Sequence, residues 1–151
     1  MTTNASLECT REQVDPRGPR FGGAITTVVL ALALIFAGTT LGLLLIVWQT
    51  IVFGLGALVG LQAQPYGILF RKVIRPRLAP PTELEDAAPP RFAQAVGLVF
   101  LVVALVATLA GVTAVATIAL ALALAAAFLN AAFAFCLGCE MYLLGQRLAH
   151  R

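Results

Sequence analysis

Hydrophobic and charged positions separate into blocks along this chain. From Phe21 to Phe70 and again from Phe92 to Cys139 there is no Asp, Glu, Lys or Arg. Each block is more than twice the roughly 20 residues that one helix needs to cross a bilayer. Each therefore predicts two spans and a tight turn. The first helix is expected from about Phe21 to Ala37, and Gly38-Thr39-Thr40 reads as a turn. The second is expected from about Leu41 to Gln62, the third from Phe92 to Ala110, and the fourth from near Ala114. The fourth is long enough to run on through Cys136 and Cys139, which would then occupy the last turns of a membrane helix at one face of the bilayer.

The segments between the blocks read differently. Residues 1–20 form a polar arm that stiffens at Asp15-Pro16-Arg17-Gly18-Pro19, where prolines exclude a helix interior. Phe21 stands where an aromatic belt residue would, with Arg20 directed to headgroups. The stretch from Pro65 to Arg75 interleaves apolar and basic residues, as a short helix at headgroup level would, and Pro76 ends it. Pro80-Pro81, the acidic run Glu83-Leu84-Glu85-Asp86 and Pro89-Pro90 read as an exposed, stiff loop. The organisation is thus an arm (1–20), a first transmembrane hairpin (21–62), a loop with an interfacial basic segment (63–91), a second hairpin (92–139) and a tail (140–151).

The hairpins are copies. Residues 19–34 and 90–105 agree at eight of sixteen positions with an offset of 71, including Pro19-Arg20-Phe21 against Pro90-Arg91-Phe92. Tyr66 and Arg71 recur as Tyr142 and Arg147 with an offset of 76. The expected fold is an all-α membrane protein of four transmembrane helices in two duplicated helical hairpins, related by a pseudo-twofold axis along the membrane normal. On these offsets Cys136 falls opposite Gly60 and Cys139 opposite Ala63, so the cysteines belong to the second copy alone.

Composition agrees with the pattern. Of 151 residues, 60% are hydrophobic and 11% charged, against about a quarter charged in a soluble domain. All ten basic residues lie in the arm, the loop and the tail. The positive-inside rule then places both termini and the loop in the cytoplasm, in the cell (inner) membrane. The net charge of +3 is a topology signal, and no nucleic-acid partner is implied. Glu8, Glu12 and Asp15 among the first residues argue against a cleavable leader. Gln49 and Asn130 are amides inside the spans and need partners, for instance each other. Gly56-xxx-Gly60 permits close helix packing and, as a second use, a homo-oligomer.

Candidate chemistry is confined to Cys136-Leu137-Gly138-Cys139-Glu140. Cys136 and Cys139 are three apart, share a helix face with Glu140 and can be bridged by a disulfide with modest adjustment. Near a helix C-terminus and beside Glu140, a thiolate is disfavoured. Three readings stand: thiol redox at Cys136 and Cys139, with Glu140 tuning them or relaying protons; a metal site completed by Cys9, His150 and Glu140; and inert packing. No resident cofactor or metal is assigned.

Val14-Asp15-Pro16-Arg17-Gly18-Pro19-Arg20-Phe21, Pro65-Tyr66-Gly67, Pro89-Pro90-Arg91-Phe92-Ala93-Gln94, the stretch from Phe128 to Phe133 and the segment from Cys136 to Tyr142 together resemble domain-of-unknown-function family 4395. This is a bacterial membrane family common in actinobacteria. The resemblance runs from about Val14 to Arg147 and leaves Cys9 outside. It implies no assigned activity. Its members' neighbourhood of thioredoxin-like proteins and thiosulfate sulfurtransferases implies thiol or sulfur handling. The expected partners are therefore the lipid bilayer and a thioredoxin-like or sulfurtransferase protein. The rival expectation is a scaffold or small transporter whose cysteines only pack.

Overall fold

The structure is a computed structural model and describes residues 11–151. Helix α1 (Arg17–Ile35) begins ahead of the expected Phe21. Pro16 is its N-cap and Pro19 sits in its first turn, where a missing N–H leaves no intrahelical bond unmade. The Asp15 carboxylate holds this start by accepting the backbone N–H of Arg17 at 3.0 Å and its guanidinium at 2.7 Å. After a turn through Gly38, left-handed at φ 81°, α2 (Thr40–Gly54) is capped by Thr39, whose hydroxyl accepts from the Gly42 N–H. It continues as a π-helical turn, Leu55–Val59, and stops at Gly60 with φ 136°.

Helix α3 (Pro65–Leu69) has proline in its first turn and runs on through Phe70–Ile74 and Arg75–Arg77. The basic segment is therefore helical as expected, though Pro76 lies within its last turn. The loop after it is tied down. Strand β1 (Gln13–Val14) pairs antiparallel with β2 (Glu85–Asp86), Gln13 opposite Asp86. Arg17 also reaches the carbonyl of Ala79 at 3.1 Å. The acidic run is thus partly used inside the molecule. Pro89 and Pro90 belong to the first turn of α4 (Ala88–Leu109) and not to the loop. Gly111, at φ 75°, turns the chain into α5 (Thr113–Phe133), and α6 (Leu137–Ala149) completes the fold.

Four segments are long and apolar enough to span a membrane: Arg17–Ile35, Thr40–Val59, Ala88–Leu109 and Thr113–Phe133. Their outward faces are apolar, with Val28, Ile35, Leu44, Val99, Val106 and Ile118 all exposed, as lipid contact requires. This is an all-α, multi-pass membrane fold.

Its core displays the duplication. Leu30 and Leu101, and Ala33 and Ala104, are all fully buried, 71 residues apart in each case. Ile46 and Leu120 share an exposure of 2% at an offset of 74, and Val28 and Val99 face outward at 60% and 61%. Helix α1 packs on α5 as α4 packs on α2 and its π-helical turn. At these crossings Arg20 donates to the carbonyl of Ala131, and Arg91 to those of Ala57 and Leu58. Each arginine thus closes the last turn of the other copy's second helix, where the dipole favours a cation. Arg20 is exposed and bonds to the protein through its Nε. Phe21 packs on Phe70 at 5.8 Å, and Phe92 on Tyr142 at 5.7 Å.

Amides and glycines are exchanged across the two crossings. A Cβ on Gly23 would lie 2.9 Å from Asn130 Nδ2, and one on Gly56 would lie 2.9 Å from Gln94 Oε1. Gly56 therefore serves packing within the chain, while Gly60 ends its helix. Gln49 and Asn130 do not meet, because they stand at different depths and crossings. Asn130 donates to the carbonyl of Pro19 at 3.3 Å. Gln49, fully buried, donates to Thr26 at 3.0 Å and accepts from the Tyr66 hydroxyl at 2.9 Å, which in turn accepts from the Trp48 indole at 2.9 Å.

Candidate active site at the start of the last helix

The cysteines do not end a membrane helix. Helix α5 stops at Phe133, Ala134 turns left-handed at φ 53°, and Cys136 becomes the N-cap of α6. Its sulfur accepts the backbone N–H of Cys139 at 3.3 Å. The expectation of a C-terminal helix end is thus reversed: the pair lies at the positive end of a helix dipole, a setting that favours a thiolate.

Pairing N-caps across the duplication sets Cys136 opposite Gln64, an offset of 72. The core offset of 74 likewise replaces the 76 suggested by Tyr142 and Arg147. The assignments to Gly60 and Ala63 are therefore corrected to Gln64 and Gly67.

Cys136 and Cys139 are joined in a disulfide, with Cα atoms 5.2 Å apart, inside the range such bonds occupy. Both are half-buried. Between them Gly138 is buried against α4: a Cβ there would strike the backbone of Ala93. Glycine at this position is what lets α6 lie on α4 and holds the pair to the bundle. Leu137, Met141, Leu144 and Leu148 form an exposed apolar stripe along α6, the pattern of a helix lying in a membrane interface.

Glu140 follows in the first turn of α6, where its charge suits the dipole. Its backbone N–H donates to the Cys136 carbonyl. Its side chain is exposed, and among the described residues it makes no ion pair or hydrogen bond. Of the supplementary metal ligands, Cys9 lies outside the described residues. His150 caps the far end of α6, some 16 Å along the helix from Cys139. Among the described residues no group of three or more His, Cys, Asp or Glu side chains is placed to hold an ion.

Beneath the pair is a cavity of about 300 Å³. It lies between α1, α4, α5 and α6, and Cys136, Gly138 and Met141 line its end near the disulfide. Phe53, Gly97, Phe100, Leu122 and Ala123 line its depth, with the amides of Gln64, Gln94 and Asn130 along the way. Phe100 is twelve residues into α4, or about 18 Å, so the cavity reaches the middle of the apolar span. This space and the positioning role of Gly138 escape sequence reasoning. The signal that the helix breaks before Cys136 was present in the first copy, where Gly60 and then Pro65 end one helix and open another.

The arrangement sets a disulfide at one end of an apolar space. No curated protein and no solved structure matches the chain. The family described as domain of unknown function DUF4395 matches residues 14–147. That match spans both hairpins and the cysteine pair, and the chain belongs to this family.

Proposed function

We propose that this protein carries out thiol–disulfide exchange at Cys136 and Cys139, on the cytoplasmic face of the cell membrane. The observation that carries the reading is the position of the pair at the start of α6, with Cys136 as N-cap. Exchange needs a thiolate to attack and a thiolate to leave, and the N–H of Cys139 and the helix dipole stabilise charge on the Cys136 sulfur. In the oxidised state a partner thiolate attacks Cys136, and Cys139 leaves as a thiolate. The partner's second thiol then displaces Cys136, giving a partner disulfide and a reduced pair. Glu140, exposed one residue on, exchanges protons between the departing Cys139 and water.

The distribution of arginines supports the orientation. The arm (1–20), the loop (63–91) and the tail (140–151) carry all ten basic residues, the signature of a cytoplasmic end. A thioredoxin-like or sulfurtransferase protein of the cytosol, itself bearing reactive thiols, is the partner class that fits.

Cys139→Ser tests the reading: Cys136 can still attack an oxidised partner, the reverse of the second step, but the thiol that would displace that partner and close the Cys136–Cys139 bridge is gone. Trapped, reductant-sensitive adducts on Cys136 are expected in native membranes. If neither adducts nor the Cys136–Cys139 bridge form under oxidant, the cysteines only pack, in a non-catalytic scaffold or small transporter. Labelling of Cys9 from outside the cell would overturn the orientation.

A further inference from the structure

The cavity has a counterpart in the first hairpin, and there the space is filled. Thr26, Trp48, Gln49 and Tyr66 make the continuous polar cluster already described. At the offsets of 71, 74 and 72 set by the helix cores and N-caps, their equivalents are Gly97, Leu122, Ala123 and Gly138. All four line the cavity. The second copy thus has no indole, phenol, amide or hydroxyl at these four positions, and the space is open beside a disulfide. The Phe53 ring lies where a Cβ on Gly97 would be, so a side chain at 97 would have to displace that ring.

The lining specifies the ligand's chemistry. None of the residues around the cavity is charged, so it has no counter-ion for a phosphate headgroup or a phosphate-bearing nucleotide cofactor. Its walls are apolar and its volume suits a single ring system at the lower end of small-molecule sites. Gln94 accepts from Gln64 Nε2 at 2.9 Å through its carbonyl, which leaves its own Nε2 to donate. Asn130 supplies a second amide near the same wall. A neutral ring bearing carbonyl oxygens, soluble in the bilayer and adjacent to Cys136, fits this set.

We propose that the cavity binds a membrane quinone that reoxidises the pair. The inference rests on the thiol-exchange reading and names the acceptor for it. The Cys136 and Cys139 thiols give up two protons and two electrons. The sulfur–sulfur bond forms, and the quinone carbonyls become the two hydroxyls of the quinol. Electrons taken from a cytosolic dithiol thereby pass into the bilayer.

The test uses the full chain in lipid nanodiscs, reduced and freed of reductant, with a short-chain ubiquinone analogue as probe. One quinol per disulfide formed is expected, with the protein mass showing a bridge and no quinone adduct. Ala123→Leu, which fills the cavity away from the sulfurs, is expected to slow quinol formation on the order of 10²-fold. Reduction of its disulfide by dithiothreitol stays at the wild-type rate, which also reports that the variant is folded. Ala127→Leu serves the same purpose should Ala123→Leu fail to fold. If the wild type makes no quinol while dithiothreitol still opens the bridge, the quinone proposal is overturned and thiol exchange stands. If neither reaction occurs, both fall. Quinol formation that ignores both cavity-filling variants, or a sulfur-bound quinone, also overturns it.

Discussion

The two hairpins share a backbone plan and differ in what occupies the space between their helices. In the first, Thr26, Gln49, Tyr66 and Trp48 bond to one another and close the interior. In the second, small and apolar residues stand at the equivalent places, and a disulfide and a cavity appear. One copy has a hydrogen-bonded polar interior, and the other has an open space at the equivalent positions. The asymmetry also reaches the short helices at the membrane surface: Tyr66 projects into the first copy, whereas Gly138 presses α6 onto α4 with no side chain.

If the cores are equivalent, Leu30→Ala and Leu101→Ala should cost the same, about 2–5 kcal/mol each, read by unfolding in detergent. A difference between them of most of that range would break the equivalence. Gly138→Ala comes next. Its methyl meets the Ala93 backbone, so overpacking of about 1–3 kcal/mol is expected, together with faster reduction of the disulfide by dithiothreitol as α6 lifts away and exposes it. Gly145→Ala, open on every side, should be neutral or stabilising by up to about 1 kcal/mol.

Tyr66→Phe leaves the Trp48 N–H and a Gln49 lone pair without partners, at a cost of about 0.6–1.7 kcal/mol on the scale of hydrogen bonds in membranes. Tyr142→Phe removes only an exposed bond from Gln146 and should be silent in the same unfolding assay. Equal effects at the two tyrosines would contradict the division of labour between the copies.

The smallest effect belongs to Asp15, nearly buried beside Arg17. The hydrogen-bonded Arg17 guanidinium holds its carboxyl below the usual value of 3.8, outweighing the opposing effect of burial. A depressed value means that its stabilisation is complete above pH 3.8 and fades as pH falls through the lowered value. Protection from hydrogen exchange at the start of α1, relative to the unstructured rate at the same pH, should therefore fall in that acid window and, in Asp15→Asn, be low already at neutral pH.

Much of the fold is legible in the chain because charge is excluded from the spans, and because Pro19-Arg20-Phe21 and Pro90-Arg91-Phe92 align the first helices without ambiguity. The second helices align poorly, since alanine and leucine repeat at too many offsets; the buried pair Ile46 and Leu120 is what sets the register. The break before Cys136 is hidden because Ala134 adopts a left-handed conformation that alanine rarely takes, inside a run that reads as uninterrupted helix. That one residue reverses the electrostatic setting of the cysteines. The ribbon between Gln13–Val14 and Glu85–Asp86 is too short to leave a periodic pattern. The cavity is walled by residues far apart in sequence, from Pro19 to Met141, so no single stretch of the chain shows it.

The proposed function requires that Cys136 exchange its disulfide with another protein at the cytoplasmic face. Cys139→Ser in native membranes, quenched with acid and resolved without reductant, measures this directly. A Cys136-linked cytosolic protein that reductant releases, and that the additional change Cys136→Ser abolishes, is the predicted result. A Cys136 thiol that stays free, with no adduct under oxidant, would contradict it.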